Sequence, residues 1–311
     1  MDGEIGDFLR SRRARIQPED VGLPGHGRRR VPGLRREEVA QLAGVSVDYY
    51  IRLEQGRGPS VSDAVLDAIG RVLCLDDTEQ AYLRTVARPA PRRRSAPGPA
   101  PQSVRPGLRL LLDLMDRAPA FVLGRRMDVL AWNALGDAVV GFSQMPPEER
   151  NMPRQVFLDP QARELYPDWP AVAAETVAHL RLDAGSHPHD RQLTTLVGEL
   201  SQGSADFRRL WADHQVKEKT YGAKRIAHPV AGELVLPYET LNVPGEADQM
   251  LVVYTPEPGS PTEARLSLLA GRPVQGAASS STANASPTAN FPVRSTEYSD
   301  PNARPPAGTR R

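Results

Sequence analysis

Apolar residues recur at helical spacing through the first quarter of the chain. Ile5, Phe8 and Leu9 share one face of "GEIGDFLRSRRARI". Val39, Leu42 and Ala43 fall at i, i+3 and i+4, which predicts a second helix over roughly Leu34–Leu42. Gly44 is placed to end it in a left-handed turn, and Ser46 to cap a third helix over Val47–Glu54. "SVSDAVLDAIGRVL" sets Val65, Leu66, Ile69 and Val72 on one face. "DDTEQAYLRTVA" closes the set, with Asp77 or Thr78 as its cap.

The pattern changes after Gly107. "RPGLRLLLDLMDRA" is an amphipathic helix with Leu108, Leu111, Leu112 and Met115 inward. Two short strands follow, Ala120–Leu123 and Asp128–Trp132, with Gly124-Arg125 as the turn. Helices are predicted over Ala134–Phe142, Trp169–Ala184, Arg191–Ser201 and Ala205–His214. Strands return in "KTYGAKRIAHP", "GELVLPYETLNV" and "QMLVVYTPE". Two strands, a helical middle and three strands predict one antiparallel sheet with helices over one face, an α+β PAS-like domain with a pocket between the layers.

The intervening "VARPAPRRRSAPGPAPQSVRPG" is too rich in Pro for helix or sheet, and the Ser-, Ala- and Pro-rich residues after Gly271 lack apolar periodicity. The expected division is an all-α head (1–88), a linker (89–104), the PAS-like domain (105–270) and a disordered tail (271–311).

Composition refines this picture. The net charge of +1 hides an uneven distribution. Phe8–Arg36 carries nine arginines against two acids, whereas Arg105–Ala270 carries 17 basic and 22 acidic residues. A basic head meets an anion more readily than an acidic body does. One cysteine, Cys74, in an apolar helical stretch, allows no internal disulfide and no zinc site built on several cysteines. "MDGEIGDFLRSRR" lacks the apolar core of a signal peptide, and no apolar run reaches the ~18 residues of a membrane span. Both fit a cytoplasmic, nucleoid-associated protein.

Helices of ~8–9 residues are unstable alone. Two of them joined by a three-residue turn with Gly form a helix-turn-helix, with Val39, Leu42, Val45, Tyr50 and Leu53 as the expected shared core. Val47, Asp48, Ile51 and Arg52 are then left outward, where a helix in the major groove meets base edges. Arg10, Arg12, Arg13, Arg28, Arg29, Arg30, Arg35 and Arg36 flank this reader as candidates for phosphate contacts. A solvated basic face with an Asp48–Arg52 pair is the bland alternative.

"FLRSRRARIQPEDVGL" and "RRRVPGLRREEVAQLAGVSVDYYIRLEQGRGPSVSDAVLDAI" resemble the XRE-type helix-turn-helix head of the MmyB-like actinobacterial transcription regulators. "DVLAWNALGDAV", "PPEERNMPRQVFLDPQARELYPDW" and "LVVYTPEPGSP" resemble the ligand-binding domain of the same family. The resemblance implies that Ser46, Val47, Asp48 and Arg52 face bases or nearby backbone. It implies that Arg35, Arg36, Gln55 and Arg57 hold phosphates, and that Tyr50, Leu53 and Glu54 are structural. It also implies a small-molecule effector and a homodimer on a palindromic site; the apolar and aromatic pocket candidates favour an effector that is hydrophobic and acyl-chain-like. Pocket candidates are Phe121, Leu130, Trp132, Phe157, Trp211, Tyr238 and Tyr254, each of which also suits an ordinary core. Arg150 and Asn151 are candidates for a polar head group or for capping a turn.

Two other classes stay open at this level. One is a DNA-tethered metal-dependent enzyme, suggested by His187, His189 and Asp190 in "GSHPHD". Pro188 between the histidines and the loop context argue against it. No nucleophile elbow and no phosphate loop is found, so no catalytic residue, metal or cofactor is expected. The other is a protein-interaction adaptor that uses the helical head without DNA.

Overall fold

A computed structural model describes residues 4–24, 33–57, 61–87, 102–218 and 220–271. The expected disordered tail, most of the linker and Arg28, Arg29 and Arg30 lie outside these residues.

The head consists of α1 (Glu4–Arg13), α2 (Arg36–Ala43), α3 (Val47–Glu54), α4 (Asp63–Val72) and α5 (Asp77–Ala87). Ile5, Phe8, Leu9, Leu34, Val39, Tyr50, Leu53, Leu66, Ile69, Tyr82 and Leu83 form its core. The Phe8 and Tyr82 rings meet edge-on at 5.0 Å. Gly44 at φ 69° ends α2, and the Val45 amide returns to the Ala40 carbonyl. The Ser46 hydroxyl accepts from the Tyr49 amide and starts α3.

Several expectations are corrected here. The second helix begins at Arg36, two residues later than predicted, although Leu34 is buried. Leu42 is 39% exposed because the short helix turns it past the core that Val39 and Tyr50 fill. Asp76 caps α5 in place of Asp77 or Thr78, accepting from the Glu79 amide while Glu79 accepts from its own. Cys74 is exposed beyond α4, with φ 50°.

The second half opens with α6 (Pro106–Leu114), β1 (Ala120–Leu123), β2 (Val129–Trp132) and α7 (Ala134–Val140). A helical run follows: α8 (Met152–Leu158), α9 (Ala162–Leu165), α10 (Trp169–Ser186), α11 (Arg191–Gly203) and α12 (Ala205–Ala212). It closes with β3 (Tyr221–His228), β4 (Gly232–Val243), β5 (Glu246–Tyr254) and α13 (Pro261–Leu269). The sheet is antiparallel in the order β2-β1-β5-β4-β3, so the first hairpin inserts its β1 edge beside the last strand. The fold is thus an all-α region followed by a helix-plus-antiparallel-sheet domain, as expected.

Strand alternation divides the sheet's side chains between two cores. Phe121, Leu123, Ile226, Leu236, Val252 and Tyr254 pack under the helices that follow α6. Ala120, Val122, Ala131, Leu251 and Val253 face the other way and pack against Leu108 and Leu112. Both faces therefore carry helix, whereas the sequence predicted one covered face. On α6, Leu108 and Leu112 are inward, but Leu111 is exposed together with Leu110 and Leu114. The β1–β2 turn is longer than Gly124-Arg125: Arg126 and Met127 both take positive φ in a single 3₁₀ turn.

Candidate nucleic-acid interface and effector cleft

The outer surface of α3 presents Asp48 and Arg52 to solvent, with Val47 and Ile51 half-buried between them and the core. Asp48 and Arg52 form no ion pair with each other among the described residues, so the bland pairing is not made. Ser46 is exposed, and its hydroxyl still has a proton to donate while it caps the helix. Arg35, Arg36, Gln55 and Arg57 are exposed at the start of α2 and beyond the end of α3.

The frame beneath this surface is ionic. Glu54, buried at the last turn of α3, accepts from Arg13 Nε at 2.8 Å and from Arg36 Nε at 2.6 Å. That contact raises the pKa of Arg36 and fixes its guanidinium at the foot of the reader. Arg13 also donates to the Leu34 carbonyl. Arg12 is buried, stacked over Phe8 and paired with Glu79 at 2.8 Å. Arg12 and Arg13 are therefore turned inward and are corrected from phosphate candidates to framework residues. Arg10 stays on the surface beside Asp7.

The pocket candidates fall into separate groups. Phe121, Phe142, Trp132 and Tyr254 pack ring against ring at centroid separations of 5.3–5.9 Å. Tyr238 extends that row, 6.2 Å from Tyr254. Phe157 and Trp211 belong to the helices instead, both in contact with Phe207, and the Arg181 guanidinium lies over Trp211. Leu130 packs on the α6 side of the sheet. Arg150 holds the Phe142 and Met145 carbonyls through Nε and lies 5.1 Å from the Trp132 ring. Asn151 is buried. It caps α8 through the Arg154 amide and donates to Asp128 and the Arg126 carbonyl.

Two adjoining clefts open between α10 and the sheet. The larger, about 300 Å³, is lined by Arg125, Arg126, Asp183, His187, Asp248 and Gln249 among others. The smaller, about 20 Å³, lies over Lys224 and Tyr238 on the sheet and Glu175 and Thr176 on α10. Met127, His179 and Glu218 line both. Of the pocket candidates, Tyr238 alone lines either cleft. Sequence reasoning passed over Lys224, yet its register was readable. Gly222, Lys224 and Ile226 alternate toward one face of β3, so a lysine there falls in line with a core isoleucine.

His187 and Asp190 of "GSHPHD" are absorbed into a polar network at the rim of the larger cleft, whereas His189 is exposed. His187 places Nδ1 2.8 Å from Asp183 and Nε2 3.0 Å from Asp248, tying α10 to β5. Arg126 reaches Asp190 at 2.7 Å, and Asp190 also caps α11. No group of three or more metal-ligating side chains occurs among the described residues.

The Asp183 hydrogen bond, set against partial burial, raises the pKa of His187; the charges of Asp183 and Asp248 add to it and Arg125 opposes it. A raised folded-state pKa gives stability that is complete below the unfolded value and lost as pH rises through the folded one. The stability difference between wild type and His187→Gln is therefore expected to be on the order of 1 kcal/mol at acidic pH and to shrink toward alkaline pH. Urea titrations at several pH values check this, and a difference independent of pH would mean the imidazole is not held as a cation.

Residues 4–271 fall within one compact unit, and α10 is where the head meets the rest of it. Tyr82 of α5 lies so close to Gly185 of α10 that a Cβ there would overlap its ring. Arg12 donates to the His214 carbonyl at 2.9 Å and Arg15 to the Asp213 carbonyl at 2.7 Å. Val216 and Leu182 pack against the head core. One helix thus lines the clefts with Glu175, Thr176 and His179 and supports the head with Gly185.

Residues 104–269, more than half of the chain, match the family model of the MmyB-like transcription regulator ligand-binding domain. Residues 4–83 match a helix-turn-helix domain model. Comparison with curated proteins finds no match.

Proposed function

This chain belongs to the MmyB-like transcription regulators, and on that premise we propose that its head reads half of a two-fold DNA site through α3 while its sheet domain senses a small effector. It is a DNA-binding transcription regulator with a ligand-binding domain. The finer reading rests on one observation above others: Asp48 and Arg52 stand exposed and mutually unpaired on the outer face of α3. A base-reading helix needs free side chains on a rigid frame, and Glu54 supplies that frame from below.

In this reading Ser46, Val47, Asp48 and Arg52 meet base edges, and Arg35, Arg36, Gln55 and Arg57 hold the flanking phosphates. We take the head as residues 1–88 and the sensor as 105–270, working in the cytoplasm on the nucleoid. The exposed Leu110, Leu111 and Leu114 of α6 support a second copy of the chain as partner. Tyr238, the aromatic pocket candidate that lines a cleft, supports a ligand with a hydrophobic, acyl-like part. Both matching families are regulator domains, which favours sensing over catalysis. Because α10 touches both clefts and head, an effector that prefers one position of α10 shifts the population of DNA-competent chains.

Arg52→Ala is expected to weaken binding to the selected site by about tenfold or more and to relax one base position, since a bidentate guanine contact contributes ~1–3 kcal/mol of discrimination. Selection of genomic fragments by purified wild-type and variant protein measures this. Identical motifs from the two would remove Arg52 from the reader. Binding that does not fall with salt would favour the adaptor reading, because phosphate contacts release counterions.

A further inference from the structure

We propose that Lys224 is an anion receptor at the inner end of the cleft, and that the ligand it serves carries a carboxylate or phosphate group. The proposal rests on the sensor reading only in calling that ligand an effector. Lys224 is 6% exposed, in the middle of β3, and lines the smaller cleft. Its ammonium makes no hydrogen bond or ion pair among the described residues. It lies 5.9 Å from the Tyr166 and Tyr238 ring centroids, near the outer limit of a useful cation–π contact. Glu175 is the acid that bears on it electrostatically, but that carboxylate is engaged by Lys217 at 2.8 Å. Glu218, which also lines the cleft, is exposed.

A lysine this deeply placed, whose ammonium faces a small cleft without a protein partner among the described residues, is costly, and packing alone would be better served by Met or Leu at this position. Burial accordingly lowers the pKa of Lys224. An arriving oxyanion supplies the missing partner in a site that already excludes most water, where a charge-assisted hydrogen bond is strong. The position also suits an amphiphile. The cleft of about 300 Å³, with both charged and apolar lining residues, adjoins the smaller one, and the Tyr238 ring lines the latter beside Lys224.

The test uses the full chain with six probes. Acetate and inorganic phosphate supply charge alone; octanoate and octyl phosphate supply charge and chain; octanol and octylamine are the uncharged and cationic controls. Calorimetric titration is run on wild type, Lys224→Met and Lys224→Arg. At least one anion is expected to bind wild type and Lys224→Arg tenfold or more tighter than Lys224→Met. Octanol and octylamine should bind all three alike or not at all. Without ligand, Lys224→Met should melt at or above the wild-type temperature, because it removes a buried cation. If Lys224→Met does not fold, Lys224→Gln takes its place. Preference for octanoate or for octyl phosphate separates a carboxylate ligand from a phosphate one. No anion depending on Lys224, or octanol binding as tightly as octanoate, would overturn the receptor. DNA affinity is measured in parallel. Lys224-dependent anion binding with unresponsive DNA affinity leaves the receptor standing and removes the effector reading, whereas normal DNA binding without anion binding does the reverse.

Discussion

Replacing Glu54 by alanine is expected to destabilise the head by about 3 kcal/mol and to abolish specific DNA binding at 37 °C. The carboxylate is buried at the foot of α3 and is shared by Arg13 from α1 and Arg36 from α2. Removing it leaves Arg13, itself largely buried, as an uncompensated charge. Arg36 is 43% exposed at its side chain and can turn to solvent, so its part of the loss is small. The three helices that meet at Glu54 are α1, α2 and the reader, so the geometry of the DNA face goes with the pair. Glu54→Gln, which keeps the shape and part of the hydrogen bonding, should lose less. Chemical denaturation and DNA titration of both variants measure this. A loss under 1 kcal/mol with intact DNA binding would show that apolar packing alone holds the head.

A loss of similar size, about 3 kcal/mol, is expected for Asn133→Ala in the second half. This buried amide makes four hydrogen bonds. Its oxygen accepts from the Ala120 and Gly136 amides, and its nitrogen donates to the Met115 and Ala118 carbonyls. One side chain thereby starts α7, secures the first residue of β1 and ties down the chain leaving α6. Alanine strands several backbone groups out of reach of water, and each costs about 1–3 kcal/mol when left unmet, relaxation recovering part of the sum. Asn133→Asp should do no better, because a carboxylate would face two carbonyls without a proton to give. Urea unfolding followed by tryptophan fluorescence gives the value, and a change below 1 kcal/mol would mean that water enters and replaces the amide.

The two halves were legible to different degrees, for physical reasons. The head announces itself because its determinants are local. Gly44 and Ser46 set the turn and cap within three residues, and α3 lies where its periodicity places it. Long-range ion pairing was not legible. Arg12 and Arg13 look like any surface arginines until α3, α5 and the His214 loop are folded against them. In the second half, alternation located all five strands and the element pattern predicted one antiparallel sheet, but the order β2-β1-β5-β4-β3 was seen only in the structure. Which aromatic residues border empty space could not be read. Phe121 and Tyr238 have the same character in sequence, yet of the two it is Tyr238 that lines one of the clefts beside α10. Asn133 and Lys224 were missed because a polar residue at an inward position gives no sign of its partner, or of having none.

The contact of Tyr82 with Gly185 bears on how such regulators can be rebuilt. A helix-turn-helix head is commonly regarded as a module, exchangeable by splicing within the linker. Here the head's underside is shaped to α10: an aromatic ring against a residue with no side chain, and two arginines reaching the carbonyls of Asp213 and His214. A transplanted head without those groups would sit on α10 loosely or elsewhere, and would bind its operator indifferent to whatever the clefts hold. Exchanging DNA specificity while keeping the response therefore calls for grafting the outer residues of α3 alone, with the rest of the head left in place.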